Sequence, residues 1–381
     1  MKKVCMITTV SITLKSFVVE TAKYLHDKCG YDVTLICSDD PAFQKSLPEY
    51  IHFIPVQMSR GISLSGFKAI KVFKKIFKEQ KFDMVQYATP NASFYASRAA
   101  KSAKVPIRAY CQWGIRYVGF SGIKRKIFKF LEKSVCKKST HVFAVSPKNM
   151  QFAINEGLYK PQKAQVIGNG GTIGVDMKAF DISKKTEWGN AIREKYAIKK
   201  DELVFGFVGR ISADKGVVEL LTAFKGVAAV NPNAKLLVVG PSDDKDERLT
   251  SLVEWAKSSG KVIFTGGVEN AKIKEYYSAM DVLVHPTYRE GFGMVIQEAG
   301  ALGVPVITTK IDGASEVMVD GESCVLVAPK NADDLKDAML SMSNDKAEKL
   351  GKKAFERTLK LYERQIMLEN QRQAYEKLLG E

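Results

Sequence analysis

The residues best suited to chemistry stand in one stretch, REGFGMVIQEAGALGVPV (289–306), directly after an apolar run of strand length, VLVHP (282–286). Glu290 closes a loop, and Gly291-Phe292-Gly293 leaves the backbone N–H groups from Gly291 to Met294 and Val295 unobstructed where a helix starts. Such groups bind phosphate and sugar oxygens without a competing side chain. Glu298 lies about two helical turns beyond Glu290, and a carboxylate there accepts hydrogen bonds from both hydroxyls of a ribose. Singly, each acid reads as an ordinary helix-start or solvated residue; the spacing together with the glycines points to a site. A second cluster is VGRISADKG (208–216), where a strand ends at Val208 and Gly209 permits a sharp turn. Arg210 and Lys215 flank the loop that enters a helix near Val217. Two cations beside a helix N-terminus at a strand's carboxyl end suit a diphosphate. The same pair reads equally well as surface charge on a strand–helix loop.

Positioning these loops requires alternating strands and helices. In the first half, strand-length apolar runs are VCMITTV (4–10), VTLICS (33–38), MVQYA (84–88), VFAVS (142–146) and QVIGN (165–169). In the second half they are LVFGFVG (203–209), KLLVVG (235–240), KVIFTG (261–266), VLVHP (282–286), VPVITT (304–309) and CVLV (324–327). Near-continuous hydrophobicity marks strands covered on both faces, as in parallel sheets built from strand–helix–strand units. Two such series, broken near residues 176–200, predict an α/β chain of two tandem Rossmann-like domains with a ligand cleft between them. After Cys324 the pattern turns helical, over Ala332–Met342, Asp345–Leu361 and Glu363–Leu379.

Composition narrows the function classes. The chain has 381 residues and a net charge of +16, with 45% hydrophobic and 26% charged residues. Residues 1–180 hold 29 Lys+Arg against 11 Asp+Glu, a net of +18, so the remainder is close to neutral at −2. An anion met outside the site is met by the first half. No apolar run approaches the ~20 residues that span a bilayer. The opening MKKVCMITTVSITLKSF superficially resembles a signal peptide, but Lys15 and interspersed Thr and Ser favour a first strand. Six scattered cysteines and four histidines indicate neither a disulfide framework nor a metal cluster, and a reducing cytoplasm fits. His141 and His285 read as core or strand-end histidines. Asp244-Lys245-Asp246 has a metal-binding pattern, yet an acidic loop leading into a helix accounts for it.

Two Lys-rich helical segments account for much of the basic charge. In residues 66–82, Lys68, Lys71, Lys75 and Lys78 share one face while Ile70, Phe73 and Phe77 line the other. In residues 122–138, Ile123, Ile127, Phe130, Leu131 and Val135 form a stripe, with Lys124, Arg125, Lys129, Lys133 and Lys137 largely off it. Each stripe alone is explained as core; both in one domain point to an anionic lipid surface. On that reading Lys124, Arg125, Lys126 and Lys129 face lipid phosphates, while Phe67, Phe128 or their neighbours enter the headgroup region.

The segment from Asp281 to Val327 resembles the signature region of glycosyltransferase family 4, retaining enzymes of the GT-B fold. VGRISADKG resembles their diphosphate loop, and GNGGTIGVDMKAF (168–180) the segment before the interdomain crossover. The wording is most similar to bacterial capsule and lipid-linked oligosaccharide glycosyltransferases. The resemblance implies an acceptor domain over 1–176, a nucleotide-sugar domain over 177–362, and a last helix, 363–381, packing back on the first. It further implies that Gly209, Arg210 and Lys215 hold the nucleotide diphosphate. Glu290 and the amides of Gly291, Phe292, Gly293, Met294 and Val295 then hold the sugar and β-phosphate, Glu298 the ribose, and Gly266, Gly267 and Val268 the base. Arg210, Lys215 and Glu290 become the groups that stabilise sugar and leaving group, with no nucleophile and no metal assigned. Where many relatives have a glycine-rich loop after the first strand, this chain has Thr9-Val10-Ser11-Ile12-Thr13; where many have a histidine, Trp113 stands nearby. Gln112, Trp113 and Arg116, with Lys124, Arg125 and Lys129, are the acceptor and membrane candidates. The expectation is a hexosyltransferase using a UDP-hexose or UDP-N-acetylhexosamine and a polyprenyl-diphosphate-linked acceptor, peripheral on the inner face of the cell membrane and binding no nucleic acid. Its rivals are a non-hydrolysing UDP-sugar epimerase and a non-enzymatic polyanion binder.

Overall fold

A computed structural model describes residues 1–58, 64–242 and 247–380. The chain divides into two compact units, one formed by Met1–Ile173 with Gln365–Glu381 and the other by Gly174–Arg364. Asp244-Lys245-Asp246 lies outside the described residues.

The first unit is built on seven parallel strands, β1 (Lys3–Ile7), β2 (Asp32–Cys37), β3 (Ile51–Pro55), β4 (Met84–Tyr87), β5 (Ile107–Gln112), β6 (His141–Ala144) and β7 (Ala164–Val166), in the order β3-β2-β1-β4-β5-β6-β7. Successive β1 side chains bury on opposite faces, Cys5 and Ile7 with one core and Val4 and Met6 with another. This alternation explains an unbroken apolar run, since both faces of the sheet are covered. β3 and β5 carry no such run, because IHFIP ends an edge strand in proline and IRAYCQ holds Arg108 and Gln112; sequence periodicity missed both. The last helix, Arg364–Leu379, lays Tyr375 and Leu379 into the second of these cores, where Tyr375 stacks on Phe143 at 5.8 Å.

The second unit has six parallel strands, β8 (Leu203–Val208), β9 (Ala234–Val239), β10 (Val262–Gly266), β11 (Val282–His285), β12 (Val306–Thr309) and β13 (Cys324–Val327), ordered β10-β9-β8-β11-β12-β13. All six coincide with the apolar runs read from sequence. Its core gathers Phe205, Phe207 and Phe224, each fully buried, and burial of one such side chain stabilises by about 1.5–3 kcal/mol. The two passages of chain at the edge of this unit are tied together: Val175 bridges Glu363, and Arg364 pairs with Asp176 at 3.2 Å. In each sheet the strand order reverses once, between β1 and β4 and between β8 and β11. Adjacent loops diverge at such a point, which leaves a crevice at the carboxyl ends of the strands.

Candidate active site

The loops following β8 and β11 flank the reversal in the second unit, and both conspicuous sequence clusters stand there. After β8, a short 3-10 turn (Ala213–Lys215) leads through Gly216 into the helix Val217–Val230. Gly216 has φ of 72°, and a Cβ there would come within 2.0 Å of the Pro286 carbonyl oxygen. Only glycine lets the two loops approach this closely. The Tyr288 amide then donates to the Asp214 carbonyl at 3.0 Å.

Lys215 reaches across to Glu290, Nζ to Oε2, at 2.9 Å. The same carboxylate oxygen lies 3.2 Å from His285 Nε2, and Glu290 Oε1 accepts from the Gly291 amide at 3.1 Å. Burial by itself would raise the Glu290 carboxyl. The His285 hydrogen bond and the Lys215 charge overcome it and hold the group far below the usual carboxylate range. Burial lowers the His285 pKa in turn, so a neutral ring donates from Nε2, and the buried Nδ1 has no hydrogen-bond partner. Arg210 and Arg289 converge on Asp214, at 3.8 Å and 3.3 Å, and Ser212 Oγ donates to it at 2.6 Å. Although burial opposes it, these groups keep Asp214 ionised below its ordinary value.

Gly293, with φ of 63°, starts the helix Met294–Ala301, and Glu298 stands on that helix. Tyr277 Oη donates to Glu298 Oε2 at 2.8 Å. Burial pushes the Glu298 carboxyl up to about 7, against the pull of Tyr277 and Arg364. Glu298 is therefore not the solvated acid that one bland reading allowed. Gly266 ends the edge strand β10, with Gly267 and Val268 directly after it, and the Gly240 amide donates to the Gly266 carbonyl at 2.9 Å.

The first unit rearranges the acceptor-side candidates. Gln112 is buried, with Nε2 donating to Glu132 (2.7 Å) and Oε1 accepting from Tyr159 (2.9 Å), so it shapes the region from within rather than reaching a ligand. Trp113 packs on Phe17, ring centroids 5.4 Å apart. Arg116 is exposed and lies 4.8 Å over the Phe128 ring. The position after β1 that lacks a glycine-rich loop starts a helix instead, Ser11–Phe17.

The two basic helices differ. In Leu64–Gln80 the stripe of Ile70, Phe73 and Phe77 packs on the core, while Phe67 and Val72 are 48% and 46% exposed. In Gly122–Lys138 the stripe splits into two faces. Phe128, Leu131 and Val135 pack inward, whereas Ile123, Ile127 and Phe130 are 75%, 53% and 70% exposed. Phe128 stacks on Phe120 at 4.9 Å, which corrects its expected place among lipid headgroups. Arg125 and Lys129 both pair with Glu156, at 3.4 Å and 2.8 Å. Lys124 and Lys126 stay exposed, with no ion pair among the described residues.

Residues 190–357 match the family described as Glycosyl transferases group 1, and residues 3–146 the family described as Glycosyl transferase 4-like. The capsular polysaccharide biosynthesis glycosyltransferase CapM of Staphylococcus aureus is 31% identical over 358 residues, spanning 93% of this chain and 92% of that one. The chain belongs to the family-4-like glycosyltransferases. The UDP-Gal:alpha-D-GlcNAc-diphosphoundecaprenol alpha-1,3-galactosyltransferase of Escherichia coli is also similar, at 24% identity over 83% of this chain and 81% of its own. Among solved structures, Anabaena HepE in complex with UDP and glucose superposes over the full length of both chains with a TM-score of 0.80 and 19% identity. That likeness establishes the GT-B fold of this glycosyltransferase.

His285 is the buried strand-end histidine that the sequence suggests, closing β11, and its contact with Glu290, five residues on, is added by the fold. Tyr277 meets Glu298 from the preceding helix Ile273–Ser278, and nothing in residue spacing announces a contact between separate helices.

Proposed function

We propose that this glycosyltransferase moves a hexose or N-acetylhexosamine from its UDP-sugar to a saccharide carried on polyprenyl diphosphate, in capsule or other lipid-linked glycan assembly. The observation that carries the reading is the Lys215–Glu290–His285 cluster at the reversal between β8 and β11. A cation held there by a carboxylate, beside a helix N-terminus, suits a diphosphate bearing a sugar. Arg210, Lys215 and the amides from Gly291 to Val295 bind the diphosphate. Glu290 turns toward the sugar, Glu298 accepts from the ribose hydroxyls, and Gly266 to Val268 border the base. The names of the relatives support the chemistry: one belongs to capsule synthesis, and another couples UDP-Gal to a diphosphoundecaprenol acceptor in an alpha linkage.

The donor's anomeric configuration is retained. The bond from sugar to diphosphate stretches toward an oxocarbenium-like centre, and the acceptor hydroxyl attacks on the same face. Its proton passes to the diphosphate oxygen that the sugar vacates. Charge grows on the departing diphosphate, so groups already fixed around it stabilise the transition state more than the ground state. No side-chain nucleophile and no metal take part. At the inner face of the membrane, Lys124, Lys126, Ile123, Ile127 and Phe130 meet anionic lipid, each cation contributing about 1 kcal/mol.

A thermal-shift panel of nucleotides and nucleotide sugars tests the donor assignment. A true donor at 100 times its dissociation constant stabilises the protein by about 2.7 kcal/mol. No shift with UDP or any UDP-sugar would defeat the proposal. Turnover of a UDP-sugar to its epimer without acceptor would replace it with epimerase chemistry.

A further inference from the structure

Behind the Gly122–Lys138 helix, at the carboxyl ends of β4 and β5, the first unit contains a cavity of about 240 Å³. Its wall is mainly hydrocarbon, formed by Phe94, Ile127, Phe128, Leu131 and Val135. Ile127 belongs both to this wall and to the exposed stripe it shares with Ile123 and Phe130. An apolar path therefore runs from the surface of the helix into the cavity. That helix carries seven cations and one acid, which complements an anionic amphiphile.

The polar groups are few and lie at particular places. Arg116 borders the cavity, and no carboxylate partner is found for it among the described residues. Ser93, in the first turn of the thirteen-residue helix Pro90–Ser102, is buried and borders the same space, and its Oγ has no hydrogen-bond partner among the described residues. A buried hydroxyl without a partner costs free energy, which a ligand oxygen would relieve. Together with the helix N-terminus, Arg116 and Ser93 suit phosphate oxygens. Glu132 forms the polar end of the wall, and its Oε1 accepts from Tyr110 Oη at 2.8 Å as well as from Gln112.

We propose that this cavity takes the first isoprene units of the acceptor's lipid, with the adjoining diphosphate at Arg116 and Ser93. The assignment rests on the lipid-linked acceptor of the proposed function and adds to it the place where hydrocarbon is read. A sugar alone would not match the apolar part of the wall, whereas a branched hydrocarbon covers it.

The test compares two acceptor analogues that share one sugar diphosphate, below micellar concentration and without vesicles. One ends in a methyl group and the other bears two isoprene units. The wild-type enzyme should show a KM about tenfold or more lower for the isoprenyl analogue. Ile127→Glu, which puts a charge at the mouth, should collapse that ratio toward one, while UDP affinity in the same preparation reports folding. Equal KM values for the two analogues in the wild type overturn the proposal and leave the lipid-linked acceptor standing. A ratio untouched by Ile127→Glu also overturns it. No transfer to either analogue, with transfer to a free saccharide, removes the lipid-linked acceptor itself and the cavity's role with it.

Discussion

The loops after β8 and β11 flank the reversal of one parallel sheet, the region after β4 and β5 lies beside the reversal of the other, and the two are built oppositely. In the second unit, charges are locked against one another over short distances: Lys215 on Glu290, Glu290 on His285, and Arg210 with Arg289 on Asp214. In the first unit, the groups converging on one end of the sheet are mostly apolar, and Ile123, Ile127 and Phe130 of a basic helix remain uncovered. A small, highly charged ligand rewards a polar site fixed in advance, because reorganisation is then not left to the moment of reaction. A greasy partner rewards exposed hydrocarbon bordered by loose cations.

The strongest way to break this contrast is to remove the carboxylate that organises the polar side. Glu290→Ala strands Lys215 and the buried His285, and we expect kcat to fall about 10²–10³-fold. Steady-state kinetics with the soluble methyl-diphosphate acceptor measures it, and a fall of only a few-fold would show that the cluster merely supports the loop. Lys215→Ala should cost about tenfold to a hundredfold, mainly in kcat, because the diphosphate gains charge toward the transition state. An effect confined to KM would make Lys215 a ground-state binder.

Glu298→Ala should weaken UDP and UDP-sugar binding by about 1–3 kcal/mol in calorimetry, and unchanged affinity would end the ribose assignment. Its titration sharpens the point. The carboxyl is raised from 4.5 to about 7 in the folded protein, so its contribution to stability is present below about 4.5 and lost as pH rises through about 7. The melting temperature of Glu298→Gln, relative to wild type, should therefore rise between those values. UDP affinity of the wild type should move the other way, increasing with pH as the carboxylate forms. Tyr277→Phe removes a hydrogen bond that lowers this pKa and should shift the affinity profile to higher pH.

On the apolar side the expected effects are smaller. Ile123→Ser with Phe130→Ser should reduce sedimentation with anionic vesicles, and Lys124→Glu with Lys126→Glu should add about 1 kcal/mol per cation. Charge reversal of Lys68 and Lys71, on the helix whose Phe73 and Phe77 are core, should change binding less. Equal losses from both helices would reduce the contrast to net charge. The smallest effect expected is none at all: activity should persist in EDTA, and loss restored by Mn²⁺ would return Asp244 and Asp246 as metal ligands.

Much of the second unit was legible because its strands are buried on both faces and read as continuous apolar runs. The loops after β8 and β11 were legible because their glycines, cations and acids fall within single short motifs. β3 and β5 were not, since a proline-ended edge strand and a strand carrying Arg108 and Gln112 lack that signature. The role of Gln112 was misread for a related reason, as its partners Glu132 and Tyr159 come from other elements.

The sequence by itself determined the two α/β series, the placement of the conspicuous loops at strand ends, and the family, because these depend on local periodicity and short-range spacing. Tertiary structure alone decided that His285 and Tyr277 hold the two glutamates and that Glu156 takes up Arg125 and Lys129. It also decided how much hydrocarbon each of two similar Lys-rich helices keeps exposed. Residue pattern states that a helix has an apolar side; only the packing of neighbouring elements determines how much of that side they cover.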